Sequence, residues 1–101
     1  MSTKPDTEDI IRVKGETDPA ETYTSSADLT GHSAHLVIAT TGGIVVDTIA
    51  GVVSGTAVTF AVTSLAVATA GVFAYAIILD KDTPQRRTRK EGDWTVLDFP
   101  G

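Results

Sequence analysis

From Thr56 to Thr63 the bulky residues Val58, Phe60 and Val62 alternate with Ala57, Thr59 and Ala61, and from Gly71 to Asp80 Phe73, Tyr75, Ile77 and Leu79 alternate with Val72, Ala74, Ala76 and Ile78. A period of two predicts strands. On a helix Phe73 and Tyr75 would lie about 200° apart, whereas on a strand all four large side chains of the second set point one way. Val, Ile, Thr, Phe and Tyr favour strands as well. Ser54-Gly55 and Gly71 interrupt the pattern where turns belong, and the alanine-rich segment Ser64 to Ala70 reads as a crossover with one helical turn, capped by Gly71.

The remaining elements follow from shorter patterns. Ile10 to Lys14 is a short strand with Ile11 and Val13 on one face, and Gly15 to Asp28, whose only large side chain is Tyr23, is a connection or an edge strand. Asp28-Leu29-Thr30-Gly31 forms a turn into a strand over Ser33 to Ala39 with Ala34, Leu36 and Ile38 inward. Thr41-Gly42-Gly43 closes a hairpin, since paired glycines take the positive φ of a tight turn. Ile44 to Ile49 returns, with Asp47 facing solvent or the end of the sheet. Asp80 to Pro84 is a turn by composition. Arg86 to Lys90 and Asp93 to Asp98 complete the sheet, with Trp94 and Val96 on one face. Short strands at this spacing predict a mainly β, antiparallel β-sandwich of about seven strands.

The period also bears on a second reading. Val52 to Leu79 runs 28 residues without a charged side chain and is followed by Lys81, Arg86, Arg87, Arg89 and Lys90. A single membrane-spanning helix near residues 53–79 is the alternative, with that basic flank on the cytoplasmic side, as in a small phage lysis or envelope protein. The many Ser, Thr and Gly residues in the stretch weaken that alternative, and the alternation favours strands.

With 101 residues there is room for one domain. A polar N-terminal arm, residues 1–9, precedes a sandwich domain over 10–101; the arm is too polar to order itself, and a neighbouring subunit is its expected tether. Met1 to Glu8 has no apolar core, so no signal peptide is expected. The net charge of −5 argues against general nucleic-acid binding, and the absence of cysteine removes disulfides and thiolate metal sites. His32 and His35 read as a turn and a surface histidine, and Asp80, Asp82 and Asp93 as solvated loop carboxylates. There is no Gly-x-Ser-x-Gly elbow, Walker motif or dinucleotide fingerprint. No catalytic residue, metal, cofactor or small-molecule substrate is expected, and the chain is not read as an enzyme.

Several segments together carry a resemblance. Asp28-Leu29-Thr30-Gly31, a strand, a Gly-Gly hairpin, Val-Ser-Gly-Thr-x-Val-Thr-Phe at 53–60, an alanine-rich crossover, Gly-x-Phe-x-Tyr-x-Ile-x-Leu at 71–79 and Gly-x-Trp-Thr-Val at 92–96 follow in that order. This order resembles the small immunoglobulin-like domains of tailed-phage virions, such as the N-terminal domain of baseplate upper proteins. The resemblance implies an immunoglobulin-like sandwich located in the virion. Its role would be structural, either capsid decoration (cement) or tail and baseplate assembly, through protein contacts without catalysis.

The expected partners are further copies of the chain, a major capsid protein or a tail protein. Small apolar side chains on the outward faces predict an interface at Ala57, Ala61, Ala74 and Ala76. The basic run adds Arg86, Arg87 and Arg89, either as an exposed strand edge guarded by charge or as a contact for the acidic arm of another subunit.

Overall fold

Alternating side chains sort the chain into two sheets. In a computed structural model of the protein, which describes residues 6–98, the strands are β1 (Asp6–Thr7), β2 (Ile10–Val13), β3 (Glu21–Thr24), β4 (Ala34–Ala39), β5 (Val45–Ala50), β6 (Val52–Ser54), β7 (Ala57–Phe60), β8 (Gly71–Leu79) and β9 (Arg87–Leu97). One sheet has the order β9-β8-β4-β5, with β1 and β2 both lying along the far side of β9, and the other has the order β3-β7-β6. The two sheets pack face to face as a β-sandwich, with β3, β7 and β6 on one side of the core and β9, β8, β4 and β5 on the other. The uncharged stretch over 53–79 therefore forms strands and one 3-10 turn (Leu65–Val67), not the single helix of the membrane alternative. Among the described residues no helix is long and apolar enough to cross a membrane.

The core is built as the alternation requires. Leu36 and Ile38 from β4, Val58 and Phe60 from β7, Tyr75, Ile77 and Leu79 from β8, and Trp94 and Val96 from β9 are buried in one cluster. Burying a large apolar side chain contributes about 1.5 to 3 kcal/mol, so these positions carry most of the driving force. Trp94 is satisfied inside: its indole N–H donates to the Ala66 carbonyl at 3.0 Å, tying β9 to the 3-10 turn, and its ring meets Tyr75 edge to face at 6.3 Å. Between β5 and β6 the chain changes sheets at Gly51, where a Cβ would press on the Phe60 ring at 2.7 Å.

Three expectations are corrected. The sandwich is not wholly antiparallel, since β1 and β2 run parallel to β9, the strand they join from the sheet's open side. Ile11 and Val13 do share a face of β2, as expected, and it is the outer one, with Ile11 65% exposed and Ile10 and Arg12 turned inward. Val52–Ser54 is a strand of its own, and Arg86 to Asp98 holds one long strand in place of two. Of the two hairpin glycines only Gly43 has positive φ, at 94°.

Candidate interaction surface

The two outer faces of the sandwich differ in chemistry, and strand register decides how. On the three-stranded sheet, Val52 pairs with Thr59 and Thr59 with Thr22, while Ser54 pairs with Ala57 and Ala57 with Thr24. That face is mostly hydroxyl-bearing, which is the ordinary pattern of a sheet solvated on one side. Ala57 and Ala61 belong to it, half-buried and exposed respectively.

The outer face of the six-stranded sheet is apolar. One row of its ladder runs Val45, Ala39, Ala74, Asp93, and the next runs Thr48, Val37, Ala76, Glu91. A third row carries Val72, Thr95 and Ile11. Val45 is 56% exposed and Val72 54%. The result is an apolar band across β5, β4 and β8, bordered on β9 by two carboxylates. At one end of it Ile78 is only 3% exposed although it stands outside the core cluster, beside His35, whose Nδ1 is buried without a hydrogen-bond partner among the described residues.

The structure thus brings Ala74 and Ala76 together with Val37, Ala39, Val45 and Val72, and separates them from Ala57 and Ala61 by the thickness of the sandwich. A single flat partner cannot cover all four alanines. The unweighed signal in the sequence was the company of each alanine: threonine and serine around Ala57, valine around Ala74.

The basic run lies elsewhere again. Arg86 is exposed in the β8–β9 connection, its guanidinium reaching the Lys81 carbonyl at 3.5 Å. Arg87 and Arg89 open β9, which is flanked by β8 on one side and, from Lys90 onward, by β1 and β2 on the other. The open edge is therefore confined to the start of β9, at Arg87 to Arg89, where the basic run lies, and the rest of the strand is covered on both sides. The acidic arm does not wait for another subunit. Asp6 and Thr7 pair with Lys90 and Glu91 of the same chain, the Glu8 amide donates to the Glu91 carbonyl at 3.0 Å, and the Glu8 carboxylate pairs with Lys90. Residues 1–5 of that arm lie outside the described residues.

Two carboxylates near this end of the sheet are lowered from the usual carboxylate value. Hydrogen bonds from the Thr30 hydroxyl and amide lower Asp28, and the hydrogen bond with His32, at 2.8 Å, is the main cause that lowers Asp80. Among the described residues no group of three side chains is placed to hold a metal ion; His32 is engaged with Asp80, and His35 faces the apolar band. No family model matches the chain, and no curated protein matches it in sequence.

Proposed function

We propose that the protein is an assembly module that works by docking the outer face of its six-stranded sheet onto another protein, as a structural component of a tailed-phage virion. The observation that carries the assembly reading is the apolar band around Ala74. A sheet with one solvated face ordinarily alternates apolar inside with polar outside, yet here Val45, Val37, Ala39, Ala74, Ala76 and Val72 all lie outside. Contiguous apolar surface of this kind marks interaction sites. Small side chains on a flat sheet also let a partner's backbone come close. The band's border of Glu91 and Asp93 favours a basic rim on the partner, and Lys81 and Arg86 at the hairpin would supply one if the partner is a second copy. The virion assignment rests on the resemblance of the strand order and turn residues to tailed-phage immunoglobulin-like domains, and on nothing in the band itself.

Sedimentation of Ala74→Glu tests the docking face. Ala74 is exposed in the isolated chain, so the fold should survive, while association should be lost because an unpaired charge would be trapped in the interface. Association unchanged by this substitution would refute the docking face. Mass spectrometry of purified phage particles tests the virion assignment separately.

A further inference from the structure

The open end of the sandwich beside the β8–β9 connection holds a cavity of about 220 Å³, roofed by the loop from β3 to β4 and floored by the end of β8. Leu29 from the roof and Leu79 from the floor give it an apolar lining, and both are buried. Arg87 and Arg89 line it together, and a register shift explains why. Ile77 pairs with Lys90 but Ile78 pairs with Thr88, so one residue of β9, Arg89, is extra. Such a bulge re-aims the side chains that follow it. Arg87, opposite the core residue Leu79, and Arg89 then lie on the inner side, where the Arg89 Nε donates to the Tyr23 hydroxyl at 3.3 Å.

The charges around the cavity are unequally occupied. Asp28 already accepts from the Thr30 amide and hydroxyl at 2.9 and 2.7 Å, and Asp80 from the Ser33 amide at 3.2 Å beside its contact with His32. Among the described residues Arg87 makes no hydrogen bond, although its charge lies close enough to Asp80 to help lower that carboxyl, and Arg89 uses only its Nε, leaving both terminal amino groups unused. Guanidinium groups match the planar oxygen pair of a carboxylate. We infer that this cavity is a binding site for a carboxylate carried on a small aliphatic group: Arg87 and Arg89 take the carboxylate, and Leu29 and Leu79 take the aliphatic part. The site is separate from the apolar band and does not depend on the assembly reading.

Titration of the full chain with N-acetyl-leucine, followed by amide chemical shifts, tests it. Saturable shifts at Leu29, Leu79 and residues 85–89 are expected. N-acetyl-leucinamide, which keeps the aliphatic group and lacks the charge, should bind at least about tenfold more weakly, and Arg87→Ala with Arg89→Ala should weaken N-acetyl-leucine by at least the same factor, since each charge-assisted hydrogen bond lost is worth about that much. Inorganic phosphate, which brings charge without the aliphatic part, should also bind more weakly. Equal binding of acid and amide, tighter binding of phosphate, or no saturable shift with N-acetyl-leucine would each overturn the assignment. Arg87→Lys with Arg89→Lys guards against a folding artefact: it keeps the charge and loses the fork, so wild-type affinity in that variant would also count against paired recognition.

Discussion

Arg12 on β2 and Glu21 on β3 join the two sheets across the side of the sandwich, with the guanidinium Nη1 2.7 Å from the carboxylate Oε2. Arg12 is 6% exposed. This pair explains why β2 turns its Ile11 outward: the strand must present Arg12 to the interior to meet a partner on the opposite sheet. A buried charge is tolerable only when it is paired and hydrogen-bonded.

Glu21→Ala should therefore cost more than an ordinary surface substitution. A fully buried pair broken on one side loses about 3 to 5 kcal/mol; Glu21 is partly open to water, so about 2 to 3 kcal/mol is expected, read as a fall in the urea midpoint. The double replacement Arg12→Met with Glu21→Leu should recover most of it. Equal losses in the single and double variants would mean that the charges do not depend on each other.

Gly92 should prove necessary for docking the N-terminal segment. A Cβ there would overlap the Glu8 carbonyl, which also accepts the Tyr75 hydroxyl hydrogen bond. Gly92→Ala is expected to detach residues 6–9 while leaving the core in place, giving faster proteolytic trimming at the N-terminus with a small loss in melting temperature. Gly42→Ala, where the nearest atom to the added Cβ is 3.7 Å away and the backbone φ is not positive, should leave trimming unchanged.

Tyr75 supplies an alkaline transition. Burial, and then the negative charges of Glu8, Glu21 and Asp9, push its hydroxyl up from 10.0 to about 12. The folded state thus holds the proton that the unfolded state releases near pH 10. Its contribution to stability is full below pH 10 and is lost as pH rises toward about 12. Ultraviolet titration of tyrosinate should show a late step that Tyr75→Phe removes, and that variant should lose less stability over the same pH interval.

The inward register of β7 is tested by two neighbours. Phe60 is wholly buried and Thr59 exposed. Phe60→Ala should cost about 3 to 5 kcal/mol, a large part of the roughly 5 to 15 kcal/mol that holds a domain folded. Thr59→Ala should be nearly silent, and melting temperatures that fall equally in both would reject the register.

The sequence by itself determined which residues of β4, β7, β8 and the second half of β9 face inward, because a strand's side-chain period is fixed at two and large apolar residues mark one phase of it. It determined the turns at Asp28–Gly31 and Ser54–Gly55 for the same kind of local reason, the backbone freedom and side-chain hydrogen bonds of the residues there. The short strand β2 escaped this logic, since the phase of Ile11 and Val13 is outvoted by an ion pair between Arg12 and Glu21, nine residues apart. The alanines likewise could not be sorted from the chain alone: Ala57 and Ala74 have the same local alternation, and only the strands laid beside them make one face hydroxyl-rich and the other apolar. Arg87 and Arg89 came inside through a bulge set by pairing with β8. Lateral pairing and contacts across the sandwich are long-range choices, made by which surfaces can be buried together, and these the tertiary structure alone decided.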